Sequence, residues 1–407
     1  MTVRLLPASA GPDARLLFAT RGIRAVADGC MAVVMPAYLL LLGYDAVHVG
    51  VITTATMLGS AALTLLVGFR AHAASLRPML VAMAALMAAT GIGFAAAREF
   101  WPLLIVAFVG TLNPSSGDVS AFLPLEQSVL SHAVADTERT DLFARYSLVG
   151  SLFGAAGTLL AAVPDWLARG GQIDRLAVFR GVFVAYAIVG IAVAVLYRRL
   201  PRHEAAREAD APKPAGLGPS RGIVVRLAAL FSVDSFAGGL ATQSLLVVWL
   251  FATFGISVAA AAQILFWMGL LTAVSYLVAA RIARRIGLVN TMVFTHLPAN
   301  VALMALPFAP TLGVAIALLL VRGFLSSMDV PVRTSYVLAV VTPPERPAAA
   351  SLTAVPRSLA AAVGPSLGGA LLGVSPFGWP FLLGGALKAA YDVTLLAMFR
   401  GVRPPEE

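Results

Sequence analysis

SFAGGLATQSLLVVWLFATFGISVAAAAQILFWMGLLTAVSYLVAA, residues 235–280, runs through two membrane-spanning lengths without one Asp, Glu, Lys or Arg. Residues 286–321 repeat the pattern, interrupted only by His296. A helix lying in water needs a polar face. A helix crossing about 30 Å of hydrocarbon instead takes roughly 20 apolar residues at about 1.5 Å rise each. The chain therefore reads as a polytopic membrane protein, and the few ionisable groups inside its spans are where function is sought.

Working outward, the whole chain agrees. It is 59% hydrophobic and 12% charged, with a mean hydropathy of +0.88, far from globular composition. The net charge of +9 sits in short loops rather than on one face or in a tail. That pattern orients membrane loops and gives no reason to expect a nucleic-acid partner. Cys30 is the only cysteine, which excludes an intramolecular disulfide and a thiolate metal cluster. The first apolar segment carries Arg21, Arg24 and Asp28 and no processing site, so it reads as a first span rather than a cleaved signal. No phosphate loop, metal-ligand cluster or nucleophile–base constellation appears. Neither a cofactor, a metal nor an enzymatic activity is expected, and no soluble stretch would make a nucleotide-binding domain for an ATP-driven pump.

Apolar stretches bounded by charge, Gly or Pro predict twelve transmembrane helices. Six fall near 16–42, 46–69, 78–97, 101–132, 142–164 and 177–198; six more near 222–253, 258–281, 287–308, 311–341, 348–374 and 378–400. The stretches 101–132 and 311–341 exceed one bilayer thickness and are expected to tilt or project. Residues 198–221 form the only long polar linker, dividing the chain into halves 1–197 and 222–407. With both termini inside, Arg70, Arg77, Arg139, the linker, Arg281, Arg284, Arg285, Arg346, Arg400 and Arg403 all face the cytoplasm. The opposite loops keep Arg98, Arg169 and Arg175, a bias that sets the predicted orientation in a cytoplasmic membrane.

The halves repeat. Thr137-Glu138-Arg139 follows the fourth span as Pro344-Glu345-Arg346 follows the tenth, and thirteen residues before each arginine stands an ionisable group, Glu126 or Arg333. Gly43 and Gly255 follow the first span of each half. Weak similarity between six-helix halves is the signature of a duplicated transporter. Ala280-Arg281-Ile282-Ala283-Arg284-Arg285-Ile286-Gly287 resembles the basic loop between second and third helices of a half in the major facilitator superfamily. Arg357 followed by Gly364-Pro365-Ser366-Leu367-Gly368-Gly369 is similar to a stretch common in that superfamily's eleventh helix. The first-half basic loop, 68–77, is degenerate and lacks the usual Asp. Gly150-Ser151-Leu152-Phe153-Gly154-Ala155-Ala156-Gly157 lacks the Pro of the fifth-helix signature of many proton antiporters. The resemblance covers nearly the whole chain. It implies an all-α membrane fold of two pseudo-symmetric six-helix bundles, with the first, fourth, seventh and tenth helices lining a cavity.

The charges match that implication independently. Span one carries Arg21, Arg24 and Asp28; span four Asp118 and Glu126; span seven Asp234; span ten Arg322, Asp329 and Arg333. The second, third, eighth and ninth spans hold no interior Asp, Glu, Lys or Arg. An ionised side chain facing lipid costs at least several kcal/mol, so the charged spans see water or one another. Arg24 with Asp28, and Asp329 with Arg333, are four residues apart and are predicted to pair along their own helices. Lys388 and Asp392 are likewise predicted to pair with each other, on a twelfth helix that the resemblance places at the periphery. His296 and Asn300 are expected to make local hydrogen bonds. Asn113-Pro114-Ser115-Ser116-Gly117 predicts a helix break whose freed backbone groups need partners, in a binding site or at a packing kink.

Arg24, Asp28, Asn113, Asp118, Asp234, Arg322 and Asp329 are the candidate substrate or proton pathway. Arg21, Glu126 and Arg333, nearer the cytoplasmic ends, are the candidate gate, with direct substrate contact as the other role open to Glu126 and Arg333. Asp118 has no basic residue within a turn on its own helix and is the candidate proton carrier, whereas Asp28, beside Arg24, is the candidate organiser of an ion pair. The expected function is secondary active transport of a small solute by alternating access, proton-coupled and directed outward, by a monomer embedded in the lipid bilayer. Uptake or exchange of a small organic anion held by arginines is the alternative within the class; a membrane enzyme or a sensor is the alternative outside it.

Overall fold

The computed structural model describes residues 11–71, 75–112, 122–131, 136–168, 174–201 and 217–401, and every regular element among them is helical. The first half gives α1 (Pro12–Leu41), α2 (Ala46–Ala71), α3 (Leu76–Ala96), α4 (Phe100–Val109), α5 (Phe122–Ser131), α6 (Asp136–Leu160), α7 (Val163–Ala168) and α8 (Arg175–Tyr197). The second gives α9 (Arg221–Leu240), α10 (Gln243–Phe254), α11 (Val258–Ile286), α12 (Leu288–Ala305), α13 (Leu312–Leu325), α14 (Asp329–Ala339), α15 (Arg346–Val374) and α16 (Trp379–Phe399). Among the described residues, nine helical stretches are long and apolar enough to cross a membrane, and α4 and α13 are shorter apolar helices.

Exposure along α8 shows what such a helix is for. Val184, Ile188, Ile191 and Val195 form an exposed stripe at helical spacing, while Phe183, Tyr186, Ala187 and Val193 are buried. A helix that is apolar on both faces is at rest only between protein and lipid.

The chain forms two compact units, Met1–His48 with Ala55–Glu208 and Ile256–Phe266, and Val49–Thr54 with Ala209–Gly255 and Trp267–Glu407. Both are assembled by the same pairings. In the first unit α1 packs on α6 and α3 on α8; in the second α9 packs on α15 and α12 on α16. In span order these are first with fifth and third with sixth of each half. Close approach depends on glycine: a Cβ at Gly29 would collide with the Gly154 carbonyl, and one at Gly364 with the Gly239 backbone. The repeat extends to the turn that ends the first span. Gly43 and Gly255 both adopt left-handed backbone, with φ of 91° and 60°, a conformation that suits glycine at a helix end.

The structure departs from the predicted unbroken helices over 222–253 and 311–341. The first divides at Ala241 and Thr242, where Ala241 leaves helical geometry (φ −118°, ψ 45°). Gly238-Gly239 just ahead weakens the helix by roughly 1 kcal/mol per glycine. The second divides at 326–328. Pro331 has no N–H to donate to the 327 carbonyl, and Ser326-Ser327 favours a turn. Of the stretch 101–132, α4 ends at Val109 and α5 begins at Phe122; the break predicted at 113–117 lies outside the described residues.

Candidate functional site

Each unit gathers its buried charges into one cluster. In the first, Glu126 on α5 is fully buried and takes donors from three other helices. Arg24 on α1 pairs with it, and the Tyr146 hydroxyl on α6 donates to the same carboxylate. The Tyr197 hydroxyl at the end of α8 donates at 2.6 Å and the Thr20 hydroxyl on α1 at 3.3 Å. A buried carboxylate persists only when an opposite charge and further donors meet its lone pairs. The Arg24 guanidinium also lies over the Phe122 ring, 3.9 Å from its centre, and that of Arg21 stands 5.3 Å from the Tyr146 ring.

The predicted Arg24–Asp28 pair is replaced. Arg24 turns to Glu126, and half-buried Asp28, one turn further along α1, accepts from the Tyr186 hydroxyl at 3.3 Å. The i,i+4 spacing permits a pair, but a cross-helix carboxylate with three other donors holds the guanidinium better than a neighbour on its own helix.

In the second unit Asp234 on α9 is the hub. Lys388 Nζ on α16 donates to Oδ1 at 2.6 Å, and Arg333 on α14 donates to Oδ2 at 3.0 Å. His296 Nε2 on α12 stands 3.9 Å from Oδ1. Arg333 also donates to Asp329, the pair predicted along α14. Asp392 on α16 meets His296 Nδ1 at 2.9 Å and accepts from Asn300 Nδ2 at 2.7 Å. The predicted Lys388–Asp392 pair is thus overturned: the lysine stem reaches across to α9, and Asp392 turns to α12. Lys388, Tyr391 and Asp392 lie on the buried face of α16, while Leu383, Leu387, Val393 and Met398 on the same helix are exposed. Beneath the charges Val224, Leu227, Phe231, Met292, Tyr336 and Leu395 make an apolar core.

Charges on the first and fourth spans therefore meet in one unit, and charges on the seventh and tenth in the other. Glu126 and Arg333, the paired gate candidates, each find partners within their own unit. Arg322, in the last turn of α13, makes no ion pair among the described residues, and its Nε is buried without a hydrogen-bond partner. Asn113 and Asp118 lie outside the described residues. Sequence reasoning missed Lys388, Asp392, His296 and Asn300 as members of a site. The available signal was two polar i,i+4 pairs on two apolar spans, each pair presenting one face. Among the described residues, no group of three or more His, Cys, Asp or Glu is placed to hold a metal ion.

The family model of the Major Facilitator Superfamily matches residues 17–328 and 239–407. The uncharacterized membrane protein YJR124C of Saccharomyces cerevisiae is 24% identical over 426 residues, covering 97% of this chain and 95% of its own. Among solved structures, the xylose transporter XylE from E. coli, partially occluded and inward open, aligns with a TM-score of 0.74 at 13% identity over 97% of this chain and 98% of its own. The nucleoside transporter NupG aligns with a TM-score of 0.72 at 15% identity over 96% and 100%. The human organic anion transporter MFSD10 gives 0.63 at 16% identity over 95% and 100%. At these identities the structural likenesses establish the fold.

Proposed function

The chain belongs to the major facilitator superfamily, and on that premise we propose that it carries a small solute across a cytoplasmic membrane by alternating access, driven by protons and directed outward. The observation that carries proton coupling is the second-unit cluster, where the carboxylates of Asp234, Asp329 and Asp392 are buried in membrane helices around a histidine. Ionisable groups kept inside spans at such cost are functional candidates by default. Outward direction rests on the frequency of exporters in the family alone. Asp28 and Asp118 extend the proposed proton and solute pathway, and Arg21, Glu126 and Arg333 its gate. The proposed arrangement keeps 1–197 and 222–407 as the two halves, with 198–221 and both termini in the cytoplasm. Cysteines introduced at Arg202 and Asp174 in a Cys30→Ser background should then be labelled from opposite sides.

A thermal-shift screen of the purified protein identifies the solute, because a specific ligand stabilises the folded state. Flux of that solute in proteoliposomes, with and without a pH gradient, tests the coupling. Gradient-driven accumulation is the expected result; flux indifferent to the gradient rejects proton coupling.

Arg322 favours a second reading, transport of a small organic anion. A half-buried guanidinium with no ion pair among the described residues is suited to a carboxylate or phosphate, which it can bind in bidentate fashion. In the same screen, stabilisation by carboxylates or phosphates that disappears in Arg322→Gln supports it, and stabilisation by neutral solutes alone opposes it.

A further inference from the structure

At contact distance the second-unit cluster holds three carboxylates, Asp234, Asp329 and Asp392, and two fixed cations, Arg333 and Lys388. With a neutral imidazole the set carries one uncompensated negative charge. All five of these side chains are buried, and an unpaired charge in such a place is strongly destabilising. Imidazole is the side chain that exchanges a proton near neutral pH. Here its two nitrogens face two different carboxylates, Nδ1 toward Asp392 at 2.9 Å and Nε2 toward Asp234 at 3.9 Å. Asn300 Nδ2 donates to the other oxygen of Asp392 and also lies 3.2 Å from Nδ1. An ionised carboxylate only accepts, so with Asp392 ionised the proton between them sits on Nδ1. Nε2 is then the nitrogen free to gain and lose a proton, and it is the one aimed at the hub.

The surroundings can answer such a change. On α16 stand Lys388, Tyr391 and Asp392; on α14 Asp329 and Arg333; on α9 Asp234; on α13 Arg322, which pairs with none of them. The Tyr391 hydroxyl, on a residue 2% exposed, and Arg333 Nε have no hydrogen-bond partner. The Tyr391 ring stands edge-on to the imidazole, with centres 6.2 Å apart. A tyrosine with an unsatisfied hydroxyl thus packs against the ring, and Arg333 keeps one unused donor.

We propose that His296, held by Asp392 and facing Asp234, is the site where the coupling proton is taken up and released, and that Asp234 passes the change to the helices. This rests on the proton-coupled reading above. The step is a transfer of one proton from water to Nε2 and back. A protonated ring competes with Lys388 and Arg333 for Asp234, whose ion pairs tie α9 to α16 and α14. Proton occupancy then sets how firmly those helices are held.

The test uses the full chain in lipid nanodiscs with His48, His72, His132 and His203 replaced by Gln, so that His296 is the only imidazole and the cluster is untouched. Its ring is followed by NMR between about pH 5 and 9. The expected result is a titration inside that window that leaves it in Asp392→Asn. If Asp392→Asn does not fold, Lys388→Met serves instead, and the midpoint should move by about one pH unit or more, a tenfold change in proton binding. A ring that does not titrate, or that titrates identically in the variant, overturns the proposal. The readout needs no solute. A titrating His296 in a protein whose flux ignores the pH gradient overturns the function proposed above, and a silent His296 in a gradient-driven transporter overturns this site alone.

Discussion

The two units bury ion pairs between corresponding helices, with the charges exchanged. In the first, the carboxylate is Glu126 on the fourth span and the arginine Arg24 on the first. In the second, the carboxylate is Asp234 on the seventh span and the arginine Arg333 on the tenth. Glu126 and Arg333 occupy the same position in the repeat, thirteen residues before Arg139 and Arg346. What differs is the company. Glu126 is closed off by one guanidinium and three hydroxyls, those of Tyr146, Tyr197 and Thr20. Asp234 holds Lys388 to itself but shares Arg333 with Asp329, and stands beside a histidine that is itself tied to a third carboxylate. A saturated pair makes a fixed tie between helices. A cluster with one acid in excess makes a place where charge can change.

The largest expected effect breaks the closed cluster. Glu126→Ala strands Arg24 without an ion partner, and removing one member of a buried pair costs about 3–5 kcal/mol. Denaturant unfolding of the purified protein should show that loss, with most of it recovered when Arg24→Leu is combined with Glu126→Leu. Recovery fails if Arg24 is held by something other than Glu126. Lys388→Met should cost less, about 1.5–3 kcal/mol for a hydrogen bond to a charged group, because Asp234 keeps Arg333. Equal losses in the two variants would erase the distinction between a closed and a shared cluster.

That distinction was only partly legible in the sequence. Which spans carry charge could be counted, because lipid penalises every stray ion and leaves the rest as signal. The internal repeat, down to the left-handed Gly43 and Gly255, follows from matched offsets. Partner choice did not follow. Spacing along one helix offered Asp28 to Arg24 and Asp392 to Lys388, but both cations chose carboxylates on other helices, 102 and 154 residues away. Local spacing reports what a pair can do; packing of α16 on α12 and α9 decides what it does. His296 and Asn300 were visible as the polar breaks in an apolar span, yet their acceptor, Asp392, is nearly a hundred residues further on. The breaks at Ala241 and at 326–328 were also missed, since hydropathy sees length and not the backbone donors that Gly and Pro remove.

A smaller effect tests whether the two units are built alike beneath these charges. Gly29→Ala and Gly364→Ala each place a methyl against backbone in the same class of helix pair, α1 on α6 and α9 on α15. Overpacking of this kind costs roughly 1–3 kcal/mol. Gly181→Ala and Gly222→Ala, which meet nothing within 4 Å, should be neutral or slightly stabilising, as alanine favours helix by up to about 1 kcal/mol. Similar losses at Gly29 and Gly364 extend the repeat to packing. A loss at only one of them would confine it to topology.

The smallest effect isolates what hydroxyls contribute without a cation. Glu345, in the turn before α15, is a counterpart to Glu126: it accepts from the Ser220 hydroxyl at 2.6 Å, from the Thr342 hydroxyl at 2.7 Å and from the Gly218 N–H. No cation stands at ion-pair distance among the described residues. These donors, Ser220 first and Thr342 next, hold its carboxyl down to about 2. A folded value below the unfolded one, about 4.3, means the ionised form stabilises the fold. That contribution is complete above about pH 4.3 and disappears as pH falls toward 2. Glu345→Gln keeps the shape and removes the charge. Its stability deficit against the parent should therefore be constant near neutrality, shrink through the acid limb and vanish at its foot. Unfolding curves of parent and variant recorded from about pH 6 downward decide the matter, and a deficit that stays the same across the acid limb would show that the charge of Glu345 contributes nothing to the tie between the start of α9 and the turn before α15.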